Sequence, residues 1–245
     1  YLVLGRGANL IVPDEGFKGL VIRLRGEFET IERLKTVKKT VYLRVGAGLS
    51  LPRLVAYAAR HGLSGLEPLT AIPGTVGGAI VMNAGVPGFS ISERLSSVTC
   101  LASPQKLVKR YANQLRPAYR DMRLPGSWIV LSAVFKLTPA PEPVIRERMR
   151  QYLKRRHDQV WRRFPSAGSI FKNPEGTFAG KLIEACGLKG FRMGGAQVSP
   201  EHANVIINRD AATAKDILDL ITHIREEVER KTGITLELEV VIARN

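Results

Sequence analysis

The sequence predicts an α+β protein in two parts, and three observations carry that expectation. Short β-rich runs closed by glycine dominate the first hundred residues: "YLVLG", "LVIRLRG" and "TVYLRVGAG". Two long amphipathic segments with helical period follow residue 140. Between them stands "PAPEP", Pro139 to Pro143, where closely spaced prolines stop regular structure and favour an extended connector. The expected division is therefore 1–139 and 140–245, which suits 245 residues at about 150 per domain.

Each element has its own signal. Over Leu51 to His61 the residues Leu51, Leu54, Val55, Ala58 and Ala59 recur at helical spacing, and Gly62 follows as the stop. A strand is expected near Ser96 to Leu101. A longer one, "SWIVLSAVFKLT" from Ser127 to Thr138, is apolar on both faces and so belongs inside a sheet. After the prolines comes a helix with Ile145, Met149, Tyr152 and Leu153 inward and Arg146, Arg148, Arg150, Lys154, Arg155 and Arg156 outward. From Thr213 to Lys231 a second helix carries Ile217, Leu220, Ile221, Ile224 and Val228. Gly233 ends it, and "ITLELEVVI" reads as a closing strand.

Hydrophobic residues make up 44% and charged residues 24%, the balance of a folded globular chain. The 37 Lys+Arg against 22 Asp+Glu leave +15, which favours polyanions or phosphorylated small molecules. No stacking aromatics alternate with the basic residues after Pro143, so a solvated helix face is favoured over a nucleic-acid surface. Cys100 and Cys186 are too few for a disulfide scaffold and lack C-x-x-C spacing, so a reducing cytoplasm is expected. The most apolar stretch, Ala71 to Val86, is short and broken by Pro73 and glycines; no membrane span and no signal peptide are expected. The chain opens at Tyr1 inside an apolar strand, which suggests an upstream piece missing from the first domain.

Several catalytic signatures fail on spacing. "GTFAGKL" has three residues between Gly176 and Gly180 and Leu182 after Lys181, so it is not a Walker loop. Gly5/Gly7 and Gly46/Gly48 lack the third glycine of a dinucleotide fingerprint. His61, His157, His202 and His223 show no H-E-x-x-H spacing, no G-x-S-x-G is present, and no metal is expected. Two Gly-rich turns remain, "LGRGANLIV" (Leu4 to Val12) and "IPGTVGGAIVMNAG" (Ile72 to Gly85), the latter with Thr75 and Asn83 as polar anchors. Consecutive N–H groups in such turns can bind pyrophosphate, and both turns equally admit tight packing; together they suggest a flat, phosphate-bearing cofactor held by backbone. "PSAGSIFKNP", residues 165–174, has the small residues and donors of a pocket wall, and equally those of an ordinary loop.

The blocks "LGRGANLIV", "HGLSGLEPLTAIPGTVGGAIVMNAG", "AYR", "PSAGSIFKNP", "FAGKLIEACGLKGFRMGGAQVS", "HANVIIN" and "LELEVVI" run through nearly the whole chain. In this order they resemble the UDP-N-acetylenolpyruvoylglucosamine reductase (MurB) family. The resemblance implies an FAD-binding domain of the vanillyl-alcohol-oxidase (PCMH) type and a C-terminal α+β substrate domain. It further implies cytoplasmic, NADPH-dependent formation of UDP-N-acetylmuramate for peptidoglycan. The partners implied are small molecules, the UDP-sugar and NADPH, without nucleic acid or membrane; a monomer is favoured, with the oligomeric state left open by the sequence.

By the same resemblance Gly5, Arg6, Gly7, Ala8, Asn9 and Leu10, with Pro73, Gly74, Thr75, Gly77, Gly78 and Ala79, would cradle the FAD diphosphate, and Asn83, Ala84 and Gly85 would continue that wall. Arg120 would hold the substrate carboxylate, Ser169 would donate a proton and Glu239 would be the partner acid, a candidate for a raised pKa. Tyr119, Lys172, Asn173 and His202 fall where relatives contact substrate. The chain departs from the family pattern in three places: "AYRDM" lacks a serine two places after the arginine, "NAGVPGFSI" replaces a Tyr-Gly-Gly, and Val241 stands where many members have arginine. No long insertion with a substrate-clamping tyrosine lies between Tyr119 and Ser169, as expected of the shorter class of the family.

Overall fold

The structure, a computed structural model, describes residues 1–157 and 164–244, with side chains of the third helix described through Lys154. It divides into two compact units: Tyr1, Val3–Arg6 and Val21–His157 form the first, and Leu2, Gly7–Leu20 and Asp158–Asn245 the second.

The first unit is built on an antiparallel sheet of β1 (Ile31–Val37), β2 (Thr40–Gly46), β3 (Leu95–Ser103), β4 (Lys106–Tyr111) and β5 (Ile129–Pro139), in the order β4-β3-β5-β2-β1. The short strand Leu63–Ser64 adds to the end of β5. Central β5 is the doubly apolar strand expected from the sequence, its Ala133 facing Val45 on one side and Val98 on the other. Edge strands β1 and β4 escaped the sequence reading because their exposed Glu, Lys and Arg residues mask the β pattern. Charge on an edge also discourages pairing with another chain. Helix α1 (Leu51–Arg60) buries Leu51, Leu54, Val55, Ala58 and Ala59, the five residues its periodicity selects. Leu51, Leu54, Val55 and Ala58 join Val41, Leu43, Val45, Phe135 and Leu137 in one core, with α2 (Val76–Val81) laid against it through Val76 and Ile80. Cys100 lies in this core, where burial pushes its thiol up to about 11; both cysteines are free and buried.

Helix α3 (Glu142–His157) begins inside the proline cluster; its Ile145 is buried and its Met149 packs on the first core. Its Arg148 reaches Ser64 Oγ at 3.2 Å and Glu67 Oε1 at 3.5 Å. These contacts put the division of units after α3, whereas the prolines alone suggest a division before it. Arg146, Arg148, Arg150 and Lys154 are exposed as expected; the side chains of Arg155 and Arg156 lie outside the described residues.

In the second unit β6 (Ser166–Ser169), α4 (Ala179–Ala185), β7 (Arg192–Met193), β8 (Ala196–Val198), β9 (Val205–Asn208) and α5 (Ala214–Thr232) surround a core of Phe171, Ile183, Val198, Leu220, Ile224 and Val228. Its antiparallel sheet runs β6-β9-β8-β7. Thr213 caps α5 through a reciprocal pair with Asp216, and Gly233 closes it at φ 70°. The expected closing strand is mostly irregular: only β10 (Val241–Ile242) is ladder, parallel to Leu10–Ile11. Likewise "LVIRLRG" forms strand only at Val21–Ile22.

The segment 7–20 is sewn to the second unit by Asp14, whose carboxylate accepts from Ala214 N at 2.7 Å and Lys215 N at 2.9 Å. A carboxylate here satisfies open amides and complements the α5 dipole. Asp14→Ala is expected to cost about 1–2 kcal/mol, read as a lowered urea midpoint with an unchanged m-value.

Candidate active site

The turn before α2 has the properties a cofactor diphosphate needs. Pro73 fixes the approach, and Gly74 sits at φ 118°, where no atom lies within 4 Å of a built Cβ. The N–H groups of Val76 and Gly77 are committed to Leu49 O and Ala47 O, both at 2.8 Å. Gly78 N is capped by Thr75 Oγ1 at 3.3 Å. Among the described residues the N–H groups of Gly74 and Thr75 meet no acceptor, so they are the pair available to an anion. The glycines thus separate by task. Gly78 is exposed, and its built Cβ meets only Thr75 Oγ1, at 3.5 Å, whereas Gly77 lies 2.9 Å from Ala47 Cβ and Gly85 abuts Phe89 O, both for packing. Gly5 lets the turn after the short strand Leu2–Val3 close on Thr75 Oγ1, which a Cβ at Gly5 would meet at 2.7 Å. The backbone at Gly74, Thr75 and Gly78 is therefore open enough to fit the FAD diphosphate, while Gly5 serves the packing of its turn on Thr75.

Gly78→Ala separates the two tasks by sign. Alanine is the better helix former by about 1 kcal/mol, so the apoprotein should melt at the same or a higher temperature. FAD affinity, read by quenching of flavin fluorescence, should fall because a methyl then stands on the ligand face.

Arg6 is exposed. Gly7, Ala8, Asn9 and Leu10 belong to the second unit, where Asn9 Nδ2 donates to Glu239 O at 2.9 Å and Asn9 O accepts from Val241 N at 3.1 Å. Asn83 is buried at φ 40°; its carboxamide donates to Ala118 O at 2.8 Å and accepts from Ser92 N at 3.3 Å. Its side chain therefore braces the turn 118–121, and the backbone N–H groups of Asn83 and Ala84 are committed to Ile80 O and Ala79 O, at 2.9 and 2.8 Å. That turn carries half-buried Arg120 at φ 57°, and Met122 N bonds to Val81 O at 3.0 Å. A left-handed arginine persists because its surroundings fix it. The Arg120 guanidinium lies 5.0 Å over the Tyr119 ring, an exposed aromatic that flattens and orients it.

In the second unit Ser169 ends β6, half-buried, opposite Val205. Gly168 at φ 77° makes the bulge that turns the serine out of the regular ladder. Ile170 O accepts from Glu239 N at 2.8 Å, so Ser169 and half-buried Glu239 come together on adjacent strands of chain 70 residues apart in sequence. Among the described residues the Ser169 hydroxyl has no hydrogen-bond partner. Lys172 pairs with exposed Glu237 at 3.3 Å. Asn173 Oδ1 accepts from Ala179 N at 3.1 Å, holding the start of α4, and His202 N donates to Ser199 Oγ at 3.2 Å beside it. Val241 is exposed. Arg120 belongs to the first unit, Ser169 and Glu239 to the second.

Residues 159–243 match the family model described as UDP-N-acetylenolpyruvoylglucosamine reductase, C-terminal domain, and residues 1–105 match an FAD binding domain. UDP-N-acetylenolpyruvoylglucosamine reductase 2 of Symbiobacterium thermophilum is 47% identical over 98% of this chain and 77% of its own length. The chain belongs to the UDP-N-acetylenolpyruvoylglucosamine reductase family. The reductase of Moorella thermoacetica is 42% identical over 98% of this chain and 78% of its own. The crystal structure of MurB from Thermus caldophilus superposes with a TM-score of 0.87 at 41% identity, covering 100% of this chain and 85% of that one. The fold expectation is thereby met: an FAD-binding domain followed by the family's α+β C-terminal domain.

Two buried polar residues inside the family's blocks were not singled out from sequence. Glu67 accepts from Ser64 Oγ and Gly65 N, both at 2.6 Å, and holds the loop that leads into Pro73. Asn204 lies beside Phe171 in the wall that carries Ser169. Each is a polar side chain within an apolar run, and such a residue must find partners once buried; that is the available signal.

Proposed function

We infer that the chain reduces UDP-N-acetylglucosamine enolpyruvate to UDP-N-acetylmuramate with NADPH, supplying peptidoglycan precursors. One observation carries this: reductase relatives match it at 42–47% identity through both units. FAD, held at the turn of Gly74, Thr75 and Gly78, would supply the hydride chemistry that links NADPH to the terminal carbon of the enol ether. Arg120, half-buried and oriented by Tyr119, forks onto the substrate carboxylate as negative charge spreads there. Glu239 hydrogen-bonds the same carboxylate when protonated or through water. The Ser169 hydroxyl gives its proton to the carbon bearing the carboxylate and recovers one from solvent. Lys172, Asn173 and His202 contact the nucleotide sugar, and the chain is of the family's shorter class. The partners are small molecules alone, and the protein works in the cytoplasm. Among the described residues no helix is long and apolar enough to cross a membrane.

The FAD-loaded protein should be yellow, bleach with NADPH, and regain colour on adding the enolpyruvyl nucleotide sugar under nitrogen. Rapid recovery with oxygen and none with the sugar would assign a flavin oxidase instead.

A further inference from the structure

We propose that Asn204 is a positioning residue for Ser169, the side chain that completes a sheet ladder where the backbone cannot; this rests on the proton-donor role given to Ser169. The ladder between β6 and β9 is sparse: Ser166 pairs with Ile207 and Ser169 with Val205, with the Gly168 bulge between. Beyond Val205 the partner strand turns away, since Val205 N bonds to His202 O at 2.9 Å and Val205 O accepts from Ser199 N at 2.8 Å. Backbone at Asn204 offers one more rung, accepting from Ile170 N at 2.9 Å. There the main-chain ladder ends.

The Asn204 carboxamide takes over. Its Oδ1 accepts from Phe171 N at 2.9 Å and its Nδ2 donates to Phe171 O at 2.8 Å, the donor and acceptor pair that a neighbouring peptide group would present. Asn204 is only 4% exposed and Phe171 1%, so neither bond competes with water. The opposite edge of the same segment is held by Glu239 N on Ile170 O and by Lys172 N on Glu237 O, both at 2.8 Å. Ser169 follows a left-handed glycine, where the chain has least intrinsic preference, and its hydroxyl direction is inherited from the residues after it. Asn204 is the one side chain among the described residues that locks those residues from the β9 side. Its removal would leave the Phe171 N–H and C=O without partners on the β9 side, the segment beyond Ile170 held from one edge only, and Ser169 free to shift.

A double-mutant cycle tests this. Asn204→Ala should slow reoxidation of the reduced flavin by the enolpyruvyl nucleotide sugar by about 10²-fold, the cost of misplacing a reacting group by about an ångström. In a Ser169→Ala background the same change should slow it less than about twofold, because the group it positions is gone. Amide exchange at Phe171 should quicken in both. Should Asn204→Ala lose FAD or fold, Asn204→Ser, which can satisfy one of the two bonds, takes its place in the cycle with the same expectation. Equal slowing in both backgrounds, or no slowing in either, overturns the proposal while leaving Ser169 as donor. If Ser169→Ala itself reoxidises as fast as the parent, the donor role falls, and this proposal with it.

Discussion

Ser169→Ala is expected to leave reduction of the flavin by NADPH nearly unchanged and to slow reoxidation by the substrate by about 10²–10⁴-fold, the usual loss for a positioned general acid. The first step involves neither the enol ether nor its proton, so a hydroxyl on β6 has nothing to contribute to it. Ser169→Cys should restore part of the rate, since a thiol can also give up a proton. Ser166 supplies the control. It lies on the same strand, exposed, and Ser166→Ala should be mild. Stopped-flow traces of the two half reactions decide the matter: equal slowing of both, or a larger defect at Ser166, would place the acid elsewhere.

Glu67→Ala is expected to be the most damaging single change to stability outside the apolar core. The carboxylate is 4% exposed and receives Ser64 Oγ and Gly65 N, with Arg148 Nη1 at 3.5 Å. Truncation strands those donors and leaves Arg148 without its counter-charge, which costs about 3 kcal/mol. Burial acts to raise the Glu67 pKa, but the Ser64 bond, the backbone N–H groups and the Arg148 charge outweigh it and hold the carboxyl below its usual range. The sign follows from a depressed folded value. The contribution is complete above the ordinary carboxylate range and is lost as pH falls through the folded value. Urea unfolding of the variant should therefore depend less steeply on pH in the acid range than that of the parent, and parallel curves would refute the linkage.

Helices were legible because burial is one-sided and periodic: the apolar positions of α1 and α5 are those that reach the core. Central β5 was legible because both its faces are covered. The edges β1 and β4 were not, since an edge strand facing water needs no apolar alternation. The tail from Ile234 to Val240 alternates like a strand, yet its backbone–backbone bonds reach only residues 170 and 172, through Glu237, Glu239 and Val240, and no regular ladder forms. At the site, residue identity pointed to Gly74, Arg120 and Ser169, but sequence could not say which glycine N–H groups are open or that the Asn83 side chain serves the Arg120 turn. Those assignments depend on long-range acceptors such as Leu49 O, Ala47 O and Ala118 O.

The pairing of Leu10–Ile11 with Val241–Ile242 has a consequence for the order in which the molecule can be made. Residues 7–20 leave the ribosome more than 200 positions ahead of the partners they pair with, Val241 and Ile242. Sheet and helices of the first unit can close during elongation through contacts that lie mostly within residues 21–157. The second unit cannot close before Val241 has emerged, because its closing rungs span some 230 positions and carry the loop entropy of that separation. Nascent chains stalled before Leu238 should accordingly protect the first unit from protease while leaving Gly7–Leu20 open to cleavage.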